Sequence, residues 1–349
     1  GANALDANTT GNYNSAFGTH SLSANTGGQR NTALGRGSLA STTTGSYNVG
    51  VGYAALSNQT TGGQNVAVGD YAARLMTTGE NNVAVGRYAL YTNTTSSSNS
   101  AVGYAALTDN TGADNTAVGR NALTSNTTAS NNTAVGNGAL KVNTSGGNNV
   151  ALGESVLDAN TTGGGNIGIG VHALGANTTG GVNTAVGHNA LKTNTTGTQN
   201  VAVGSLALDA NTSADNNTAV GYQSLSANTT GSGNTAVGRE ALRDNTTASN
   251  NTAFGLISLQ SNATGASNTA LGSNTLQDNT TGDNNTAVGH SALKVNISGG
   301  NNVAVGQIAL ENNTTGGQNV AIGRGSMASN TTASNNVAVG INALAANTD

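Results

Sequence analysis

The side chains that most often carry out chemistry are scarce and scattered in this 349-residue sequence. It has no Cys, which excludes disulfides, thiolate catalysis and cysteine-ligated metal centres. Each of the four His residues stands just after a recurring Gly, and His172 and His188 fall in neighbouring repeats. Four His residues are too few for a repeated metal site, and surface exposure is the favoured interpretation over a ligand pair at His172 and His188. The sequence therefore predicts no metal site.

The carboxylates and hydroxyls show no catalytic pattern. Asp114, Asp215 and Asp283 are isolated loop acids, whereas calcium sites in such repeats need an acid-rich nonapeptide or an EF-hand loop. A nucleophile elbow, a phosphate-binding loop and a recurring carboxylate pair are all missing from the sequence. We therefore expect no catalytic residues, no cofactor and no enzymatic activity.

Tyrosine is unevenly distributed, with seven of the eight residues before position 105 and only Tyr222 after it. Tyr53, Tyr71, Tyr88 and Tyr104 fall on neighbouring repeats at similar positions, so we expect them to lie close together on one flank. Such a stripe could stack on sugars or dock a protein, since tyrosine has an apolar ring and a polar tip. Ordinary surface variation in one half of the chain explains the same residues, and from the sequence alone it is the favoured interpretation.

Asn residues that begin an Asn-X-Ser/Thr triplet recur at one turn of the repeat. Glycans on these residues would cover one edge of the molecule. Turn propensity explains the same residues without glycans, because Asn tolerates left-handed backbone and hydrogen-bonds its own turn. The candidate acceptors are Asn8, Asn93, Asn126, Asn143, Asn160, Asn177, Asn194, Asn211, Asn228, Asn245, Asn279, Asn313 and Asn330.

All of these residues sit in a repeat of 17 residues that runs through residues 1–349 as one array. The unit reads N-[TVS]-A-V-G-x-x-A-L-x-x-N-T-T-G-x-x, and one 16-residue coil at 104–119 is the only break. A fixed period of this kind is typical of solenoids, in which each unit buries its surface against its neighbours. The terminal units resemble the others in composition, so we expect a segment of a longer fibre without terminal caps.

Within the unit, N-[TV]-A-V-G alternates with period two and is rich in β-branched residues, which predicts a short strand. A second extended segment is expected around A-L, followed by a turn at Asn-Thr-Thr-Gly. Stacked units would place like residues in columns, with Val and Leu forming apolar seams and the strand Asn forming an amide ladder. The representative column residues are Asn65, Val68, Gly69, Asn132, Val135, Gly136 and Leu140.

The predicted fold is therefore all-β, a β-solenoid or parallel β-roll of about twenty coils. At about 4.8 Å per coil these would make a rod about 95 Å long. Two large apolar residues per unit are few for an isolated coil, and the Ala, Gly and Asn face needs a cover. We expect side-by-side packing of copies, most simply as a homotrimer, with a dimer and a single flat roll as alternatives.

Composition limits the partners further. A net charge of −4, from 11 Lys and Arg against 15 Asp and Glu, lacks the basic surface that nucleic acid requires. No apolar run approaches the roughly 18 residues of a membrane span. We expect self-association, including end-to-end polymerisation, and binding to a glycan or a cell-surface receptor as the candidate interactions.

The strand motif resembles the head repeats of YadA-like trimeric autotransporter adhesins. It occurs as NTAVG at Asn115–Gly119, NVAVG at Asn65–Gly69, NVAIG at Asn319–Gly323 and NVALG at Asn149–Gly153. The A-V-G-x-x-A-L-x-x-N-T-T-G arrays also look like those of phage and bacterial tail-fibre-type proteins. The resemblance implies a trimeric, left-handed parallel β-roll with an extracellular and often adhesive role. The present repeat is longer than the usual adhesin head unit, and a stalk, neck and membrane anchor are not seen in the sequence.

The leading interpretation is an extracellular structural shaft or filament, at a cell surface or in a virion fibre. An adhesin or receptor-binding fibre is the alternative, with specificity carried by the variable positions. Ice binding is a third hypothesis, because Thr follows the turn Asn in nearly every repeat. Adjacent Thr residues in a tight turn do not obviously form the flat array that ice recognition needs.

Overall fold

The computed structural model describes residues 1–347, and this part of the chain contains strands and turns but no helix. It therefore has no helix long and apolar enough to cross a membrane. Contacts divide the chain into two compact units. The first comprises Gly1–His172 with Ala176–Thr179, and the second comprises Ala173–Gly175 with the residues from Gly180 onward. Each unit is a β-solenoid of ten strands, as the sequence predicts for the fold class.

Every coil contributes one strand of three residues. In the first unit the strands are β1 (Ser15–Phe17), β2 (Thr32–Leu34), β3 (Val49–Val51), β4 (Val66–Val68), β5 (Val83–Val85), β6 (Ser100–Val102), β7 (Thr116–Val118), β8 (Thr133–Val135), β9 (Val150–Leu152) and β10 (Ile167–Ile169). In the second unit they are β11 (Thr184–Val186), β12 (Val201–Val203), β13 (Thr218–Val220), β14 (Thr235–Val237), β15 (Thr252–Phe254), β16 (Thr269–Leu271), β17 (Thr286–Val288), β18 (Val303–Val305), β19 (Val320–Ile322) and β20 (Val337–Val339).

Consecutive strands within each unit pair in parallel and in register, so like residues form columns. In β7 and β8, Ala117 lies opposite Ala134 and Val118 opposite Val135. The same register holds between β6 and β7, whose strands are only 16 residues apart. The shortened loop at 110–114 absorbs the missing residue, and the strands on either side remain aligned.

The recurring Gly ends each strand with a backbone that other residues rarely adopt. Gly136 has a φ of 142°, and a Cβ added there would lie 2.1 Å from the carbonyl oxygen of Gly153 in the next coil. A side chain at this position would therefore collide with the neighbouring backbone. The glycine column is thus a requirement of close stacking between coils.

The A-L segment is a turn, and the prediction of a second strand there is wrong. Leu140 has a left-handed backbone with a φ of 51°, although leucine normally avoids that region. Its N–H donates to the carbonyl of Val156 in the next coil, at 3.0 Å, and its own carbonyl accepts from Asn143 at 3.2 Å. These bonds compensate for the left-handed conformation, and the chain turns back within a short coil.

The interior of each coil contains Ala, Leu and Asn, and the aliphatic strand residues lie outside it. Ala134 and Leu140 are completely buried, whereas Val68 keeps 36% of its surface exposed. Val135 is half-buried on the same outward face. The prediction that the Val column forms an apolar seam of the core is therefore wrong, and so is the argument that neighbouring copies must cover the Ala and Asn face. The coil covers that face itself.

Candidate functional site

Two columns of Asn side chains run inside each unit, and they form different hydrogen bonds. In the turn column, Asn143 Nδ2 donates to Asn126 Oδ1 at 2.9 Å and to the carbonyl of Gly146 at 2.9 Å. In the next coil, Asn160 Nδ2 donates in the same way to Asn143 Oδ1, at 2.8 Å. This is an amide ladder, and it belongs to the turn Asn residues that the sequence indicated as glycan acceptors.

The strand Asn column is bonded mainly to backbone. The N–H of Asn132 donates to Asn115 Oδ1 at 3.0 Å, and Asn65 Nδ2 donates to the carbonyl of Gly79 at 2.8 Å. Direct amide bonds also occur, including one of 3.3 Å from Asn132 to Asn115. Asn65 and Asn132 are nearly completely buried, as expected for column residues. The predicted strand ladder is thus largely a set of amide-to-backbone bonds.

Burial of the turn Asn residues opposes glycosylation in the folded coil, except at Asn8, which is exposed. An N-linked glycan would occupy Nδ2, the atom that donates two hydrogen bonds inside the ladder. Each of these side chains is fully buried, so the folded coil leaves no room for a sugar at Asn126, Asn160, Asn177, Asn194, Asn228, Asn245, Asn313 or Asn330. Turn formation explains the repeated triplet without modification.

The Thr residue after the turn Asn also bonds within the solenoid. Thr144 Oγ1 donates to the carbonyl of Thr161 in the next coil at 2.9 Å, and Thr127 Oγ1 makes the same bond to Thr144. These hydroxyls have backbone partners, so their recurrence is explained by coil stacking. Ice binding at this Thr column stays a hypothesis from the sequence.

The predicted tyrosine stripe forms a compact aromatic cluster in the first unit. The rings of Tyr71 and Tyr88 are stacked, with centroids 5.6 Å apart and planes 1° apart. Tyr53 meets Tyr71 edge-on at 5.1 Å, and Tyr104 meets Tyr88 edge-on at 6.3 Å. Tyr91, which the sequence did not single out for this stripe, packs edge-on against both stacked rings, at 6.4 and 5.6 Å.

Arginines lie against this cluster, and sequence reasoning did not identify them. The guanidinium carbons of Arg36, Arg74 and Arg87 lie 5.9, 5.1 and 4.7 Å from the centroids of the Tyr53, Tyr71 and Tyr88 rings respectively. Such distances are within the range of cation–π attraction. The spacing of Arg74 and Tyr91, one repeat apart, was the available signal. We call Tyr53, Tyr71, Tyr88, Tyr91 and Tyr104 with Arg36, Arg74 and Arg87 the Tyr–Arg patch.

Hydrogen bonds hold the patch in place. Arg74 Nη1 donates to the Tyr91 hydroxyl at 3.0 Å, and Arg87 Nη2 donates to that of Tyr88 at 3.1 Å. Desolvation raises the pKa of the Tyr71 hydroxyl, and the neighbouring Tyr53 raises it further. Tyr71 therefore stays neutral at physiological pH.

Other side-chain chemistry is sparse. Residues 1–347 contain no group of three or more His, Cys, Asp or Glu placed to hold a metal ion. No pocket is detected within the described part of either unit. The Tyr–Arg patch lies on the surface, where Tyr53 and Tyr104 are 41% and 47% exposed.

Comparison with known proteins identifies no family for this chain. No protein-family model matches it, and no curated protein matches it at a significant level. The resemblance to trimeric adhesin heads and tail-fibre proteins therefore depends on the NTAVG-type motifs and the A-V-G-x-x-A-L-x-x-N-T-T-G arrays alone.

Proposed function

We propose that this chain is a non-enzymatic structural shaft element that works outside the cell. The observation that carries this proposal is the in-register repetition of the same bonds from coil to coil within each unit. The parallel backbone pairing of β7 and β8 is repeated between consecutive strands throughout a unit, and the second residue of each strand is always Ala or Gly. A structure assembled from identical interfaces gains length by adding units, which is the property that a shaft requires.

Bonds between coils also suit a load-bearing role. The coil of Leu123 donates backbone hydrogen bonds to carbonyls of the coil of Leu140 in three regions. These regions are the A-L turn, the Asn-Thr-Thr turn and the strand. The turn ladder adds the bond from Asn143 to Asn126. A pull along the stacking direction would be shared by all of these bonds, so the separation of two coils requires that several break together.

The outward face of the strands supports self-association as part of this function. The first and third strand positions hold no charged residue in any of the twenty strands, and the third is always aliphatic or Phe. Leu152 in the first unit and Leu271 in the second are 46% and 47% exposed, each on the strand face of its own unit. Extended apolar surface of this kind marks interaction sites. We propose that a second copy of this chain covers it, and the resemblance to adhesin heads makes a trimer the expected assembly.

Mass photometry of the purified chain tests the assembly. Three chains of 33.9 kDa give about 102 kDa. A double variant, Leu152→Lys with Leu271→Lys, places charges on the exposed strand face and is expected to shift the mass toward one chain. Thr162→Lys with Thr281→Lys places the same charges on exposed turns and is the matched control. A wild-type chain that is monomeric at micromolar concentration contradicts the proposed assembly.

Immunogold electron microscopy of the source cells or particles tests the role and the location. Antibodies against the chain are expected to label extended fibres or filaments on the outside. Label confined to the cell interior, or absent from every elongated structure, contradicts the proposed shaft function.

A further inference from the structure

We propose that the Tyr–Arg patch binds an acidic polysaccharide, a polymer of uronic acid sugars. This inference goes beyond a structural role and does not depend on it. Sugar rings present apolar C–H faces that pack on tyrosine rings, and carboxylates accept paired hydrogen bonds from guanidinium groups. The patch offers both kinds of group together, because Arg74 lies over the Tyr71 ring and Arg87 lies over the Tyr88 ring.

Repetition in the patch favours a polymer over a single small molecule. Tyr53, Tyr71 and Tyr88 come from three consecutive coils, and each has an arginine within 6 Å of its ring centroid. The two stacked rings are 5.6 Å apart. A ligand that contacts all three pairs must itself be extended and must carry negative charge at repeated intervals, as a polyuronate does.

The charge distribution indicates an acidic partner. Between Arg30 and Tyr104 the chain carries four Arg against Asp70 and Glu80, although the whole chain has a net charge of −4. Asp70 lies near Arg87 and accepts a hydrogen bond from the backbone N–H of Tyr53 at 3.3 Å. Within residues 1–347, no salt bridge involves Arg36, Arg74 or Arg87. The guanidinium groups of the patch are therefore not neutralised by a carboxylate of this chain in an ion pair.

Accessibility fits a surface ligand. Tyr53 and Tyr104 are 41% and 47% exposed, and Arg36 and Arg87 are also exposed. Tyr71, Tyr88 and Tyr91 are half-buried and fixed by their ring contacts. Rings that are already ordered lose little conformational entropy on binding, which favours affinity.

Biolayer interferometry with the full chain tests the proposal against immobilised polygalacturonate, alginate and hyaluronan. We expect binding to at least one of these polymers that weakens as salt is added, and no binding to neutral dextran. Arg74→Gln with Arg87→Gln, and separately Tyr71→Ala with Tyr88→Ala, should each weaken binding at least 10-fold. Tyr222→Ala is the matched control, because Tyr222 is 46% exposed and lies outside the patch. Its binding should equal that of the wild type.

Three outcomes overturn the proposal. The first is that the wild-type chain binds none of the three uronate polymers. The second is that the Arg and Tyr variants bind as the wild type does, with circular dichroism spectra showing that they are folded. The third is equal or tighter binding to polyglutamate or to single-stranded poly-dT, which would indicate an acidic protein or a nucleic acid as the partner.

Discussion

Asn143 donates its side-chain amide to Asn126, one coil earlier, across 2.9 Å in the completely buried interior. The same contact is repeated from coil to coil, including the pair Asn262 and Asn245 of the second unit. Each amide is both a donor and an acceptor, so every buried polar atom in an unbroken stretch of the column finds a partner. The solenoid thus uses polar side chains for much of its interior.

The amide ladder should contribute strongly to stability. Asn143→Ala removes the bonds to Asn126 and Gly146 and leaves Asn160 Nδ2 with only its bond to the carbonyl of Gly163. We expect the free energy of unfolding to fall by about 2–5 kcal/mol, since buried polar groups without partners cost about 1–3 kcal/mol each. Urea unfolding followed by circular dichroism measures this change.

Asn137→Ala is the control for that experiment, because Asn137 is exposed after the strand and its side chain is outside the ladder. Its unfolding free energy should stay within about 0.5 kcal/mol of the wild type, as for most surface substitutions. Similar losses in the two variants would show that the ladder is not a major source of stability.

The ladder is interrupted in the first unit, and repair of the interruption should stabilise the chain. Thr42, Gln59 and Met76 replace the turn Asn in three consecutive coils. Asn25 Oδ1, Thr42 Oγ1 and Gln59 Oε1 are buried and have no hydrogen-bond partner. Thr42→Asn with Gln59→Asn should extend the column from Asn25 to residue 59, with Met76 left as the remaining break, and raise the unfolding free energy by about 1–3 kcal/mol.

Hydrogen exchange followed by mass spectrometry measures this repair locally. In the wild type, peptides covering residues 42–76 should exchange faster than the corresponding turns around Asn143, and the double variant should slow them. Thr44→Asn, at an exposed position of the same turn, should leave the exchange unchanged. If the double variant exchanges as fast as the wild type, the interruption does not weaken this region.

The two glycines of one turn should respond oppositely to substitution. Gly136→Ala places a Cβ against the carbonyl of Gly153 at a φ of 142°, so we expect a loss of more than about 3 kcal/mol or failure to fold. Gly138 has a φ of 69° with no atom closer than 3.8 Å to an added Cβ, and Asn121 occupies the same position one coil earlier. Gly138→Asn should therefore fold normally. Thermal unfolding of both variants provides the comparison, and a stable Gly136→Ala protein would contradict the close stacking of the glycine column.

Stability should depend on pH through two partly buried carboxylates. Desolvation raises the pKa of Asp158 and of Asp209, although Lys141 and His172 oppose the shift at Asp158 and Lys192 opposes it at Asp209. The folded state therefore holds these protons more tightly than the unfolded state, and the associated stability is present at low pH and lost as pH rises through the raised pKa.

Asp209→Asn removes this effect at one of the two positions. The variant should be more stable than the wild type at pH 7, and the difference should shrink as the pH falls below the ordinary pKa of Asp. Urea unfolding of both proteins at pH 3, 5 and 7 measures the difference in their unfolding free energies. A difference that is constant with pH, or one that grows in acid, would contradict the raised pKa.

The sequence by itself determined the period, the position of each strand and the need for glycine at its end. These follow from local chemistry, since β-branched residues favour strands and a repeat places like residues in columns. The grouping of Tyr53, Tyr71, Tyr88 and Tyr104 followed from the same period. The sequence did not determine which face of the strand lies inside, because strict alternation presents two faces and either can be buried.

The tertiary structure decided which strand face is buried, because the coil interior is narrow. At Gly50, which replaces the buried strand Ala, an added Cβ would lie 2.5 Å from Ser38 Oγ and 3.2 Å from Leu39 Cγ. The left-handed turn at leucine brings that large side chain inward, so the strand opposite has room only for a small residue. Val and Thr therefore lie outside, the turn Asn is enclosed and forms the ladder, and arginines from separate coils meet the tyrosine rings. The buried strand face, the amide ladder and the Tyr–Arg contacts all depend on how closely successive segments of one coil pack together. No short stretch of local sequence specifies that distance.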